Sequence, residues 1–427
     1  MDGILRLPEP EFGAIMKKVL SPSQAIQTPD LLKGRDKQLD DIRRALYLDG
    51  RQVFIYGYRG VGKTSLAQTA AYKYQSSEKE PIKLGCTENG TFFQTMHDLF
   101  VKAFPTDPSI IKKVLKSGFS AKLQGLSAEV KESVEKGRIP ELTSVNEAVA
   151  LTDFVASVHS KRPVVILDEF DLIRSPEQQA LFAGFVKQIA DQRINIRFFF
   201  CGIADSLDDF FSAHESTYRY FHTVQLDRLE ITPRLEIIDN AAHALSIHVD
   251  DHTTRRIARI SDGFPHFIHL ICEKLFWIVY NDPRSAMRAT PDHFVRAVTD
   301  AVQDIMPYLR RPYEKATRKY TNDAEPILWA IADNHELQRP SRDIYKSYER
   351  ITKSMPGMET LTRDRFNARI NNLKTPASGS IVTATRSGWY EFREKMIRGY
   401  ARMRAEQQGV ELDIEHPLQN RRPLSSL

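Results

Sequence analysis

The sequence predicts an α/β fold: a parallel sheet flanked by helices, then an all-helical region, then a small unit of three helices and a β-hairpin. Three observations predict it. Short apolar runs alternate with helical patterns between residues 53 and 226. From Thr232 to about Ile305 only helical periodicity remains. Residues 320–405 combine three helical stretches with two strand-like runs around an Arg386-Ser387-Gly388 turn.

Composition narrows the class of protein. The chain has 427 residues, 41% of them hydrophobic, which suits roughly two to four domains with ordinary cores. No apolar run approaches the ~18–20 residues of a membrane span, and the first residues do not resemble a signal peptide. Cys86, Cys201 and Cys272 lie far apart, without metal-ligand spacing. We therefore expect a cytoplasmic, reduced protein that does not act at a membrane.

Charge is unevenly distributed. Residues 307–405 contain 20 Lys and Arg against 11 Asp and Glu, a net charge of +9, whereas the whole chain carries only +5. A basic C-terminal region on an acidic body suggests nucleic acid as a partner. A solvated basic surface is the alternative.

The first part of the chain is an arm followed by a turn and a helix. Residues 1–30 contain four prolines and predict an extended arm with one short helix near Phe12–Val19. The turn Leu32-Lys33-Gly34-Arg35-Asp36 precedes an amphipathic helix over Gln38–Leu46.

A phosphate-binding loop follows the first strand. The strand, Val53–Tyr56, leads into Gly57-Tyr58-Arg59-Gly60-Val61-Gly62-Lys63-Thr64, and Ser65 continues into a helix. This is G-x-x-x-x-G-K-[ST] between a strand and a helix, the context expected of a P-loop, or Walker A motif. All residues from Gly57 to Ser65, Tyr58, Arg59 and Val61 included, are predicted to line the nucleotide site, and the glycines let backbone N–H groups face phosphate oxygens. Lys63 would contact the β- and γ-phosphates of ATP, and Thr64 would contact Mg²⁺.

A second strand and a helix follow the P-loop helix, at Pro81–Cys86 and Phe92–Phe104. Residues 107–145 are ambiguous, although alternation over 120–130 fits an inserted hairpin. Such an insert could face DNA or a partner, or be a passive elaboration.

Two carboxylates end the next buried strand. Four apolar residues, Val164–Leu167, precede Asp168-Glu169, and open α/β sheets place their chemistry at the carboxyl ends of strands. This is a Walker B signature. Asp168 would hold Mg²⁺ and Glu169 would polarise the attacking water.

The two motifs resemble those of AAA+ ATPases and the related STAND ATPases. The resemblance implies further site residues. The Gly34-Arg35 turn is similar to the AAA+ nucleotide-base pocket, although a simple turn is the alternative. After the strand 194–203, Asp205 stands where AAA+ proteins carry a polar sensor-1 residue, usually Asn, Ser or Thr, and Ser206 could replace it. Arg219 precedes the last strand, as an arginine finger does; a surface arginine is the alternative.

The helical region resembles a STAND lid in one detail. In Gly263-Phe264-Pro265 the proline would touch the bound base, as it does in that branch, and the AAA+ sensor-2 arginine is absent. Alternatively, Pro265 is simply the first residue of a helix.

Residues 320–405 fit a winged helix-turn-helix. Phe366, Ile370 and Leu373 would form the buried face of its third helix. The candidate DNA-binding residues are Arg363, Arg365, Asn367 and Arg369 on that helix, and Arg386 on the wing. Many winged helices make only protein contacts, which is the alternative.

The order of parts resembles that of origin-recognition ATPases. We expect an arm (1–30), a P-loop ATPase base (31–228), a helical lid (229–306), a linker (307–319), a winged-helix domain (320–405) and a loose tail (406–427). The resemblance implies an ATP-hydrolysing switch that binds double-stranded DNA and forms a homo-oligomer with ATP at subunit interfaces. One alternative is a defence or signalling ATPase that regulates a separate effector protein. Another is a nucleotide-binding scaffold with negligible turnover, against which Glu169 argues.

Overall fold

We describe the fold from a computed structural model of the chain. It describes residues 7–22, 25–26, 30–75, 79–103, 141–203, 210–211, 215–318 and 321–413. The predicted hairpin at 120–130 and the residues Asp205 and Ser206 lie outside these ranges. The described residues form two compact units. One consists of those that lie within 25–58 and 62–227, and the other of those within 1–24, 59–61 and 228–427.

The first unit is built on a parallel five-stranded sheet with the order β2-β3-β4-β1-β5. Its strands are β1 (Gln52–Gly57), β2 (Ile82–Gly85), β3 (Val164–Asp168), β4 (Arg197–Gly202) and β5 (Phe221–Leu226). Its helices are α2 (Asp36–Ala45), α3 (Lys63–Gln75), α4 (Phe92–Ala103), α5 (Val145–Val158) and α6 (Pro176–Asp191). Strands and helices alternate along the chain as the sequence predicts, which confirms the α/β fold class.

Aromatic packing fills the core beneath the carboxyl ends of the strands. Phe54 on β1 and Phe200 on β4 are fully buried. Phe170, two residues after β3, lies with its ring centroid 5.0 Å from that of Phe200 in an edge-to-face arrangement. Phe182 of α6 is 5.2 Å from Phe170 in the same manner. Such aromatic pairs stabilise the core beyond the burial of apolar surface, and they anchor the turn that follows β3.

The second unit begins with a helical region. Its helices are α1 (Glu9–Val19), α7 (Ile231–Ala244), α8 (Asp251–Ile260), α9 (Pro265–Asn281) and α10 (Pro291–Gln303). Asp250 caps α8, and Thr290 caps α10 through a reciprocal hydrogen-bond pair with His293. Phe12 of α1 stacks on Tyr280 of α9 at a centroid distance of 4.2 Å.

The second unit ends with what we call the C-terminal module, residues 321–413. It follows α11 (Pro307–Thr317) and contains α12 (Thr321–Ala332), β6 (Arg339–Pro340), α13 (Ser341–Ser354), α14 (Arg363–Asn372), β7 (Val382–Arg386), β8 (Trp389–Phe392) and α15 (Met396–Gln407). The strands form an antiparallel sheet with the order β6-β8-β7. Phe366, Ile370 and Leu373 are buried, as the periodicity predicts.

Two connecting segments have more regular structure than the sequence indicates. The segment interpreted as a linker contains α11, with Pro307 in the first turn, where its missing N–H removes no helical hydrogen bond. The expected loose tail begins at residue 406, but α15 continues to Gln407, and Val410, Leu412 and Asp413 are buried. Asp413 is ordered by an ion pair with Arg402 at 3.2 Å. Within the described ranges, no helix combines the length and hydrophobicity needed to cross a bilayer.

Candidate nucleotide-binding site

The Walker A loop has backbone angles that suit glycine. Gly60 and Gly62 have φ values of +75° and +97°. At Gly57, where φ is +153°, a Cβ would lie 2.1 Å from the carbonyl oxygen of Leu226, so any side chain would collide with the neighbouring strand. The loop therefore passes close to β5 before α3 begins at Lys63.

Lys63 folds back over the loop. Its ammonium donates hydrogen bonds to the carbonyl oxygens of Gly57 and Tyr58, both at 3.0 Å. This places one positive charge at the N-terminal end of α3, where the helix dipole also favours an anion. The arrangement can hold a phosphate group, because an oxyanion would replace the two carbonyl oxygens as the partner of the ammonium.

Walker A and Walker B meet at Thr64 and Asp168. The Thr64 hydroxyl oxygen lies 2.9 and 3.0 Å from the two carboxylate oxygens of Asp168, although the residues are 104 positions apart. A hydroxyl and a carboxylate side by side are oxygen ligands of the kind Mg²⁺ prefers. Mg²⁺ usually takes one or two protein carboxylates plus phosphates and water, so this pair fits the ion without further protein ligands.

Glu169 follows Asp168 in a sparsely populated conformation. It has φ +56°, its side chain is exposed, and its backbone N–H donates to Asp168 Oδ1 at 3.1 Å. Non-glycine residues adopt this region at a cost, and such residues cluster at functional sites. The buried ring of Phe170 next to it fixes the turn.

The other residues predicted to contact the nucleotide lie in different structural settings. Arg35 directly precedes α2 as its N-cap residue, is 5% exposed and donates to the carbonyl oxygen of Asp227 at 2.6 Å. Burial lowers its pKa to about 10, and the negative charge of Asp227 opposes that shift. Gly34 before it has φ +68°. The Ser65 hydroxyl accepts a hydrogen bond from the backbone N–H of Ile26 at 3.0 Å, so this hydroxyl binds the chain before α2.

Two further predicted residues lie at element boundaries. Pro265 is the first residue of α9 and follows Gly263, whose φ is +79°. This is the local geometry of a proline at the first position of a helix. Arg219 is the penultimate residue of the 3₁₀-helix that directly precedes β5. It is exposed, and its guanidinium lies 4.8 Å from the centre of the Tyr220 ring. Tyr220 in turn donates to Asp191 at 3.0 Å.

Sequence reasoning missed Lys83 on β2. Its ammonium lies 3.3 Å from Asp168 Oδ2, inside the site that the two motifs form. The available signal was the position of Lys83 two residues before the carboxyl end of a strand, since open α/β sheets place their chemistry at that end.

The candidate DNA-binding residues divide into two groups. Arg365 and Arg386 are exposed. Arg363 donates to the backbone and hydroxyl oxygens of Ser341 at 3.1 and 2.9 Å. Arg369 pairs with Asp323 at 3.1 Å. Asn367 is half-buried, and its side-chain oxygen accepts from the Ser341 hydroxyl at 3.4 Å.

The sheet order and the joined motifs define a P-loop nucleotide-binding domain. Residues 31–198 match the family model described as AAA ATPase domain. The match confirms the resemblance to AAA+ ATPases here.

Solved structures are similar over most of the chain. The ORC2 protein of Aeropyrum pernix, in ADPNP-ADP complexes, is 13% identical, with 92% of this chain and 98% of that chain covered and a TM-score of 0.50. The Walker-type ATPase PABY2304 of Pyrococcus abyssi is 16% identical, with 89% and 99% covered and a TM-score of 0.49. At 13% identity the likeness to the ORC2 protein shows the fold alone. None of the curated proteins matches the sequence.

Proposed function

We propose that the protein is a switch driven by ATP binding and hydrolysis. The contact between Thr64 and Asp168 carries this proposal, because it joins a phosphate loop to a metal-binding carboxylate. Gly57–Thr64 would hold the phosphates, and Thr64 and Asp168 would hold Mg²⁺, whose charge would balance the phosphate oxygens. Gly34, Arg35, Asp205 and Pro265 are proposed contacts of the nucleotide by resemblance.

Glu169 is the proposed general base. It adjoins Asp168 at the carboxyl end of β3, and its carboxylate is exposed, so it can accept a proton from an attacking water. Replacing it with glutamine keeps the shape of the side chain and removes the basic group. Binding should survive and turnover should fall.

Arg219 is proposed to act in a neighbouring subunit. In the parallel pair of β1 and β5, Gln52 lies beside Phe221 and Gly57 lies beside Leu226. Arg219 therefore lies at the amino end of the strands, whereas the phosphate loop of the same chain lies at their carboxyl end, roughly 17 Å away along the strands. An exposed arginine that cannot reach its own nucleotide can serve one at a subunit interface. A homo-oligomer with ATP at its interfaces follows from this assignment.

We propose that the C-terminal module, interpreted as a winged helix, binds double-stranded DNA. The exposed Arg365 on α14 and Arg386 on the β7–β8 hairpin would contact the duplex. The excess of positive charge in residues 307–405 supports this partner.

A second candidate function also has support. Arg363 and Arg369 are held by Ser341 and Asp323, which reduces the basic surface of α14. If the C-terminal module contacts a protein and not DNA, the chain would be a defence or signalling ATPase, and the module would contact an effector protein.

The test measures ATP turnover and duplex binding of the full chain. We expect the wild type to hydrolyse ATP with Mg²⁺, Lys63→Ala to lose nucleotide binding, and Glu169→Gln to bind ATP with turnover reduced about 10²- to 10⁴-fold. Equal, near-background turnover in the wild type and Glu169→Gln would support a scaffold instead. Absence of ATP-dependent duplex binding at moderate salt would favour the effector-regulating alternative.

A further inference from the structure

Lys83 and Asp168 lie on the same face of the sheet. In the parallel pair of β2 and β3, Lys83 is beside Ile166 and Gly85 is beside Asp168. Side chains two residues apart on a strand share a face, so Ile166 and Asp168 point the same way. The side chain of Lys83 therefore runs along this face toward the carboxylate, and its ammonium reaches Asp168 Oδ2 at 3.3 Å.

The backbone that carries Lys83 is fixed. Ile82 and Leu84 on either side are 5% and 4% exposed, in the core on the other face of the sheet. The carbonyl oxygen of Lys83 accepts a hydrogen bond from Lys102 at 2.6 Å. Beyond the end of β2, the backbone N–H of Cys86 donates to the carbonyl oxygen of Asp168 at 2.8 Å.

The Lys83 side chain itself is free to swing. It is 42% exposed, against 14% for the side chain of Asp168. A flexible four-carbon stem can thus move the ammonium between the carboxylate and solvent. Mg²⁺ and a lysine ammonium at the same carboxylate oxygen would repel each other, so the two cations exclude one another from Asp168.

We propose that Lys83 is a positioning residue that competes with Mg²⁺ for Asp168. Without the metal, its ammonium and the Thr64 hydroxyl hold the carboxylate in place and offset its negative charge. When Mg²⁺ enters, Lys83 swings away. The residue thereby sets the metal concentration that the site requires. This inference rests on the proposed function of the site.

Two opposite effects of Lys83→Met distinguish this role from a structural one. Removal of the competing cation should tighten binding of Mn²⁺, used as a spectroscopic substitute for Mg²⁺, about threefold to fivefold. The same change leaves Asp168 uncompensated in the metal-free site, so a fluorescent ATP analogue in EDTA should bind more weakly. A residue needed only for folding would not shift the two affinities in opposite directions.

The experiment uses the full chain with a non-hydrolysable ATP analogue and follows bound Mn²⁺ by electron paramagnetic resonance. Lys83→Arg should behave as the wild type. Lys73→Met, on the exposed side of α3, is the control for loss of one charge. Unchanged or weaker Mn²⁺ affinity in a folded Lys83→Met protein overturns the proposal for Lys83 alone. If Lys63→Ala binds the nucleotide as well as the wild type does, the nucleotide site itself is wrong, and the proposed function fails with it.

Discussion

Arg398 and Asp262 form an enclosed ion pair in the second unit. Arg398 Nε lies 2.8 Å from Asp262 Oδ2, and the two side chains are 1% and 2% exposed. Arg228 reaches the other carboxylate oxygen at 2.6 Å, and Arg402 lies 3.6 Å from it. Arg398 also donates to the backbone oxygens of Asn334 and Glu336. The pair joins the turn before α9 to α15, so the C-terminal module and the helical region share one buried charge cluster.

Replacing Asp262 with asparagine should destabilise the protein strongly. The buried arginines would then lack their common counter-ion, and breaking a buried pair on one side costs about 3–5 kcal/mol in the free energy of unfolding. Urea denaturation measures the change. Asp251→Asn is the matched control, because that side chain is 73% exposed, and its replacement should cost less than about 1 kcal/mol. Equal losses in the two variants would contradict the role of the cluster.

The same pair predicts a dependence of stability on pH. Burial alone would raise the pKa of Asp262, but the arginines, Arg398 foremost, outweigh burial and lower it from 3.8 to about 2. Because the folded pKa is depressed, the stabilisation is complete above pH 4 and is lost as the pH falls toward 2. It amounts to about 2 kcal/mol. The stability gap between the wild type and Asp262→Asn should therefore narrow between pH 4 and 2, whereas a constant gap would exclude titration of Asp262.

Arg219→Ala and Lys63→Ala should rescue each other's ATPase activity when mixed. Each variant alone lacks one half of the interface site. In a mixed oligomer, an Arg219→Ala subunit keeps an intact phosphate loop and receives Arg219 from its Lys63→Ala neighbour. Because a trans arginine contributes about 10³- to 10⁵-fold to turnover in related reactions, the mixture should exceed the sum of its parts. Activity equal to that sum would place Arg219 outside the site.

Duplex binding should depend on Arg365 and Arg386. Replacing either with alanine should weaken binding to all sequences and reduce the salt slope by about one unit, as expected for loss of one phosphate contact. Arg296→Ala on α10, 59% exposed, is the control for loss of a surface charge. Titration at several salt concentrations measures the slopes. Identical slopes in all these variants would favour the protein-contact role of the module.

The fold and the centre of the site could be predicted because their signals are local. A strand, a glycine loop and a helix are adjacent in sequence, and the carboxylates of Walker B directly follow a buried strand. Lys83 is 85 positions from Asp168 and Arg398 is 136 from Asp262, and periodicity does not indicate which polar groups meet at such separations. The same limit applies to α14, where periodicity identified its polar face but not that Asp323 pairs with Arg369 there.

The stacking of Arg386 on Trp389 gives the hairpin a built-in optical probe. The guanidinium lies 3.8 Å from the centre of the indole ring, in a chain with three tryptophans. Trp329 is buried and hydrogen-bonded to Tyr313, and Trp277 of α9 packs edge-to-face against Phe12 and Tyr280. The emission of neither should respond to contact at the hairpin. If a phosphate draws Arg386 away, the uncovered indole of Trp389 should change its fluorescence. Tryptophan emission can thus report contact at the hairpin without an attached dye.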